Sequence, residues 1–255
     1  MGPLVNPIAI VQARMGSTRL PGKVLMPLAG RPVLGHVVER LSYCSTLAGI
    51  VVATTTQASD DAIAEFCEGA DVAVFRGSEA DVLDRYYRAS ARFEADPVVR
   101  ITADCPAIDP TVVDQVVSGF LEGEYDLFGL MGEFPDGLDC TVFARSALDR
   151  AWKEASLASE REHVGPYIQN HPELFQTGGI ELFEGQGHQR WTLDEPEDYE
   201  LLTAIFEALY RPDSPFLSGE VLEFLDGHPE LMAINHNVVR NEGYMTSLEN
   251  DEVVE

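Results

Sequence analysis

The sequence predicts an α/β fold, with three α/β/α layers around a mostly parallel, mixed sheet. Three observations carry this. From Ile8 to about residue 122, short apolar runs of strand length alternate with stretches whose apolar residues recur at helical spacing. Strand and helix alternating at that interval make βαβ units, which build a parallel sheet covered on both faces. After residue 123 the pattern changes. Strand-like runs at 125–130 and 140–143 flank a Pro-Asp-Gly turn signal at 135–137, so the second half adds antiparallel character.

In chain order, 8–11 reads as a buried strand and 33–41 as a helix. Strands follow at 50–53, 72–75 and 98–102, with helices at 60–67, 79–93 and 110–121. Pro110 suits a first helical turn, where its missing N–H leaves nothing unsatisfied. Beyond the two later strands, helices are expected at 146–155 and 160–170. The second is opened by a capping box in which Ser159 and Glu162 satisfy backbone amides reciprocally. Strands near 180–183 and 190–192 lead into a helix from Pro196. From Arg211 the stretch PDSPFLSG marks a break, followed by short helices and the acidic tail NDEVVE. The reading is one domain over residues 1–210 and a helical extension, 211–255, packed on it.

With 255 residues, 45% of them hydrophobic, the chain can bury a sizeable core. No run approaches the roughly 20 apolar residues that span a bilayer. The N-terminal MGPLVNPIAIV has neither a basic region nor a small-residue cleavage site, so no secretion signal is expected. Cys44, Cys67, Cys105 and Cys140 are widely spaced and form no C-x-x-C pair. That points to reduced thiols in a cytoplasmic protein. A formal net charge of −26 opposes association with nucleic acid and with anionic membranes. The acidity reads first as solubility. It would also suit a cell with high internal salt, where screening removes self-repulsion.

The basic residues are 15 arginines and two lysines, Lys23 and Lys153. Lys23 lies in QARMGSTRLPGK, residues 12–23, beside Arg14 and Arg19. Three cations within ten residues of so acidic a chain point to an anion. Five residues separate Gly16 from Gly22, and Val24 stands where a Walker loop needs Ser or Thr, so that motif fails; G-x-G-x-x-G is also absent. The ingredients of phosphate binding remain. Glycines admit backbone amides close to oxygen, arginines grip phosphate bidentately, and lysine adds a point charge. The loop follows a strand directly, as does Thr102-Ala103-Asp104. Both therefore belong to the edge where α/β sheets bind ligands.

Residues 12–23 resemble the nucleotide-binding signature of the cytidylyltransferases that activate acidic sugars, the superfamily of CMP-Kdo synthetase and acylneuraminate cytidylyltransferase. Within it, the branch called spore coat polysaccharide biosynthesis protein F is the better likeness. Further marks come in order: FRGS at 75–78, DVLDRY at 81–86, RITADCP at 100–106, PDGLD at 135–139, SEREH at 159–163 and TLDEPED at 192–198. The likeness runs from about residue 8 to 210, with a fainter echo from Ile234-Asn235 to Asn241-Glu242-Gly243-Tyr244. The first motif is specific; the others are weak singly and strong in series. Ala103 replaces a usual Gly, Ala107 a larger aliphatic, and Thr141 an expected Glu on the sugar side.

The resemblance implies a Rossmann-like nucleotidyltransferase fold and a magnesium-dependent reaction. A hydroxyl of an acidic sugar attacks the α-phosphorus of CTP, giving CMP-sugar and pyrophosphate for surface polysaccharide or glycan synthesis. It implies that Gln12, Ala13, Arg14, Gly16, Ser17, Arg19 and Lys23 bind the nucleotide, with Ser78, Arg85 and Asp104. Arg14, Lys23, Asp104 and Asp194 would be catalytic, and Asp104 and Asp194 would hold Mg²⁺, which takes one or two carboxylates together with substrate phosphates. Asp139 and His163 would face the sugar. Plainer readings exist: Asp104 as a turn residue, Asp194 as a helix cap, Ser78 and Asp81 as a helix start, His163 as a packed helical histidine. CTP and a sugar acid are the expected partners, with no nucleic acid and no membrane, and a homodimer is implied by the resemblance alone. Two rivals stand beside this. A glycosyltransferase of similar architecture usually needs a D-x-D pair, and Thr102-Ala103-Asp104 offers one aspartate. A non-catalytic nucleotide-binding partner would bind without turnover.

Overall fold

A computed structural model describes residues 5–254 of the chain. Nine strands and eleven helices follow one another among these residues. The first half holds β1 (Ile8–Gln12), a small hairpin of β2 (Pro27–Leu28) and β3 (Arg31–Pro32), α1 (Val33–Leu41), β4 (Gly49–Thr55), α2 (Asp61–Gly69), β5 (Ala73–Gly77), α3 (Val82–Phe93), β6 (Val98–Thr102) and α4 (Pro110–Glu122). The second half holds β7 (Leu127–Leu130), β8 (Thr141–Phe143), α5 (Arg145–Glu154), α6 (Ala158–His163), α7 (Pro166–Asn170), β9 (Thr177–Ile180) and α8 (Pro196–Leu209). It ends with α9 (Ser218–Asp226), α10 (Pro229–Met232) and α11 (Glu242–Glu249).

Seven strands form one sheet in the order β5-β4-β1-β6-β8-β7-β9. Every pairing is parallel except the two made by β8, which runs against β6 and β7. The expected three-layer, mostly parallel mixed sheet is therefore present. Its cause is visible in the central strand. β1 is buried on both faces: Ala9 and Val11 join one core with α1, α2 and α4, while Ile8 and Ile10 join another with α3, α5 and α7. An apolar run without polar alternation is what a strand covered on both sides requires. A third core lies under the β2–β3 hairpin, α8 and α9 around Trp191, Phe206 and Phe216. Leu130 and Phe183 pack against both it and the first core.

The ends of β1 and β6 are in register. Gln12 pairs with Thr102, and the Ala103 amide donates to the Gln12 carbonyl at 3.0 Å. The loop after β1 and the turn after β6 thus leave the same edge side by side.

Four local expectations are corrected. The predicted strand at 180–183 lies earlier, at Thr177–Ile180, because Thr177 to Ile180 pair with Leu127 to Leu130. Gly178 and Gly179 hid it: they carry no strand propensity, yet a Cβ there would strike Tyr125 at 2.4 Å or Met131 at 2.3 Å. Residues 190–192 are no strand; Arg190 makes an isolated bridge to Asp136. The predicted helix at 160–170 is two helices, broken at Val164, whose φ is 71°. The capping box is also displaced. Glu160, not Glu162, reaches back to the Leu157 amide at 3.2 Å, while Ser159 and Glu162 bond the C-terminal segment instead.

Candidate active site

The loop between β1 and the hairpin is braced from within. The Met15 carbonyl accepts from Ser17 and Gly22 amides at 2.9 and 3.0 Å, and Gly22 has φ 73°, a value glycine adopts without strain. Asp60 anchors the loop from the β4–α2 connection. It is buried, accepts from the Met15 amide at 2.8 Å, and is held by the Thr55 hydroxyl. Sequence reasoning placed Asp60 only at a helix start. The turn at Gly22 sends Lys23 inward, where the residue is 8% exposed.

Lys23 Nζ donates to Asp104 Oδ2 and to Asp194 Oδ1, each at 2.7 Å. Two oxygens that close to one nitrogen cannot be further apart than twice that distance. Residues 90 positions apart in sequence therefore open onto one point, facing the loop. The backbone explains it. The Asp104 carbonyl accepts from the Leu193 amide at 2.8 Å and from the Thr192 hydroxyl at 3.3 Å, which lashes the 192–194 segment to the end of β6. Burial alone would raise the Asp104 carboxyl, but the Lys23 ammonium outweighs it and holds the group at about 2. Burial alone would lower the Lys23 ammonium; the two carboxylates outweigh that and raise it. Arg19 adds a second layer of pairing, reaching Asp194 at 3.0 Å, Glu195 at 3.2 Å and Glu242 at 3.1 Å. Arg14 forms no ion pair among the described residues and is exposed at the rim.

Asp194 is fixed from behind by Arg190, a residue that sequence reasoning treated as strand. Its buried guanidinium grips Asp198 through two bonds of 2.9 Å, Asp136 at 2.6 Å and Asp194 at 3.0 Å. Asp198 also accepts the Asp194 and Glu195 amides at 2.9 and 3.0 Å, and Asn235 completes the cluster. The four-residue spacing of Arg190, Asp194 and Asp198 was the available signal, but outside a helix such spacing carries little weight.

A cavity of about 630 Å³ opens over this cluster. Gln12, Arg14, Ser17, Arg19, Lys23, Asp104 and Asp194 all line it. A second cavity of about 800 Å³ adjoins it along Gln12, Arg14, Glu162 and Gly243, and holds Ser78, Arg85 and His163. Arg85 is nearly fully buried. One of its nitrogens donates to the Ser78 carbonyl at 2.7 Å, and its Nε has no partner among the described residues. Ser78 also accepts the Asp81 amide, and Asp81 caps α3, so the helix-start reading of both holds as well. Ala13 and Gly16 line neither cavity; the Ala13 amide is committed to the Ala53 carbonyl at 3.1 Å. Asp139 is not brought to either. It accepts the Gly137 amide at 3.1 Å. His163 bonds Ser247 at 3.0 Å, and burial lowers its pKa below the ordinary value.

Two carboxylates on one ammonium form a cation site by their own donor chemistry. Among the described residues no third carboxylate, His or Cys completes a protein-only cage. That set fits Mg²⁺, which keeps waters and takes substrate phosphate oxygens as well. No described helix is long and apolar enough to cross a membrane.

Known proteins resemble this chain in sequence and in fold. Residues 8–223 match the family described as Cytidylyltransferase. The spore coat polysaccharide biosynthesis protein SpsF of Bacillus subtilis strain 168 is 33% identical over 235 residues, 87% of this chain and 94% of that one. A solved cytidylyltransferase of Leptospira borgpetersenii serovar Hardjo-bovis superposes with a TM-score of 0.86 at 31% identity, over 92% of this chain and 99% of that one. A CMP:2-keto-3-deoxy-manno-octonic acid synthetase solved with CTP shares the fold, with a TM-score of 0.62 at 17% identity over 80% of this chain and 99% of that one. The match over most of the chain and the relative at 33% identity place this protein in the cytidylyltransferase family of nucleotidyltransferases.

Proposed function

We propose that the chain transfers CMP from CTP to a sugar acid, with Mg²⁺, and releases pyrophosphate. The observation that carries this is the convergence of Asp104 and Asp194 on Lys23 at the open edge of the sheet. Arg14, Arg19 and Lys23 would hold the triphosphate. A sugar hydroxyl attacks the α-phosphorus and releases its proton to solvent; a new P–O bond forms as the bond to the β-phosphate oxygen breaks, and pyrophosphate departs with the electron pair. The chemistry needs in-line positioning and charge neutralisation more than covalent help. Mg²⁺, when bound, would neutralise phosphate charge and orient the attacking oxygen. At rest the Lys23 ammonium stands where a cation would, and on substrate binding it exchanges carboxylates for phosphate. Arg190 keeps Asp194 aimed while this exchange occurs. Likeness to the Bacillus subtilis protein supports a product destined for a surface polysaccharide.

The test is pyrophosphate release with CTP, UTP, GTP and ATP, each against several sugar acids, with and without Mg²⁺. Release is expected with CTP, a sugar acid and metal together. Equal release with UTP, or release that EDTA leaves unchanged, would refute the assignment.

A further inference from the structure

The C-terminal helix α11 lies beyond residue 223, where the family match ends. It is nonetheless built into the cavity above the carboxylates. Ser247 donates to Glu162 at 2.7 Å and meets His163 at 3.0 Å, and Tyr244 packs edge-on to the His163 ring at 4.9 Å. The residues after the helix lock it down. Asp251 accepts from the Ser159 amide and hydroxyl at 2.9 and 2.6 Å, the Glu252 carbonyl accepts from Ala158 at 2.9 Å, and the Val254 amide donates to Ser156 at 2.8 Å. Helix α11 and α6 thus form one wall of the 630 Å³ cavity through Ser159, Glu162, Glu242, Thr246, Ser247 and Asn250.

The chemistry of that wall is one-sided. It offers hydroxyls, a carboxamide and carboxylates. The cations lining the cavity, Arg14, Arg19 and Lys23, all come from the loop after β1. A ligand spanning the cavity meets the loop with its anionic groups and the wall with hydroxyl or amino groups. The adjoining cavity, with Ser78 and Arg85, has room for the nucleoside. The compartment holding the carboxylate pair then takes the triphosphate against the loop, and its side facing α6 and α11 is left for the acceptor.

We propose that α11 and α6 form the acceptor-reading wall, in which Glu162, Thr246 and Ser247 bind sugar hydroxyl or amino groups while the sugar's carboxylate turns away from Glu162 and Glu242. This rests on the transfer reaction proposed above. A carboxylate directed at Glu162 and Glu242 would meet like charge, so the wall sets which face of the sugar turns inward. The C-terminal segment thereby becomes a specificity element.

The experiment uses Thr246→Val, Ser247→Ala and a chain ending at Arg240, with 2-keto-3-deoxy-manno-octonic acid and N-acetylneuraminic acid as acceptor probes. CTP affinity is read by calorimetry, transfer by pyrophosphate release, and the exposure of 242–249 by hydrogen exchange. A lost neutral hydrogen bond is worth about 2- to 12-fold. Each point variant should raise the acceptor KM by about that factor with kcat and CTP affinity little changed. The shortened chain should raise it more, while CTP binds as well or better, since Glu242 no longer competes for Arg19. Acceptor added to the CTP-loaded enzyme should further slow exchange in 242–249. An unmoved acceptor KM in all three variants overturns the wall but leaves the transfer reaction standing. Full-length protein that binds CTP yet neither transfers to, nor is protected by, either acid overturns the sugar-acid reading and the wall with it.

Discussion

Lys23→Met tests the centre of the site, because it removes a charge and keeps most of the apolar stem. The wild-type ammonium holds two carboxylates at 2.7 Å each. One of them, Asp104, sits at about 2 instead of its ordinary 3.8. A shift of that size corresponds to about 2 kcal/mol of folding stability, once the carboxylate's 26% side-chain exposure is discounted. The sign follows from the direction. A carboxyl depressed in the folded state adds stability above its unfolded pKa and loses it as pH falls through the folded value. Wild type should therefore exceed the variant by at least about 2 kcal/mol at pH 7. The gap should narrow by about 1 kcal/mol at pH 3 and close toward pH 2, read by urea unfolding at each pH. Lost charge-assisted contacts should weaken CTP binding roughly 10- to 150-fold in calorimetry. With no ammonium between the carboxylates, Mg²⁺ alone should bind the variant more tightly than wild type. A stability gap that is the same at pH 3 as at pH 7, or an unchanged CTP affinity, would refute the reasoning.

Three further outcomes are expected. Asp104→Asn and Asp194→Asn should each abolish pyrophosphate release while circular dichroism stays native, since Asn keeps the shape and loses the charge. Arg190→Met should cost about 3–5 kcal/mol in denaturant unfolding, because it leaves Asp198, fully buried, without its counter-ion; a loss under 1 kcal/mol would show that the cluster is dispensable. Gly137→Ala should give little soluble protein. Its Cβ would lie 2.6 Å from the Trp191 carbonyl carbon at φ 105°, and that backbone carries the segment leading to Asp194.

What could be read from the sequence follows periodicity. β1 and β4 carry continuous apolar runs because both faces are covered, and β6 departs from one at Arg100 before its terminal Thr102, so their type and parallel pairing were legible. The loop after β1 was legible because three cations are conspicuous in a chain of net charge −26. β9 was misplaced because its strand-forming character comes from pairing with β7 and from room for Tyr125 and Met131, neither of which is local. Arg190 was missed for a related reason. Its partners Asp136, Asp194 and Asp198 converge only after two chain segments are brought together, and an arginine beside acidic residues is ordinary in sequence. The Ser159–Glu162 box fitted its motif, yet both side chains were taken by Asp251 and Ser247, residues more than 80 positions away. Local patterns state what a side chain is able to do; tertiary contacts decide which option it takes.

The choice of lysine at position 23 follows from the same geometry. Fifteen of the seventeen basic residues are arginines, so a lysine here is not compositional drift. The position holds one compact donor between two carboxylates, and the proposed reaction would have it turn toward phosphate, which an ammonium on a flexible stem allows and a planar fork does not. Arginine is used where the grip is fixed: Arg190 holds Asp198 with two parallel bonds and has no room to leave. Of the three cations that contact Asp194, Arg190 and Lys23 are placed to divide the work. On the proposed reaction, Arg190 would keep the carboxylate in place throughout, and Lys23 would neutralise it only until a metal and a triphosphate arrive. Such internal pairing avoids leaving two ionised carboxylates facing each other, and on the proposed reaction the substrate's entry would be an exchange of partners rather than a capture by bare charge.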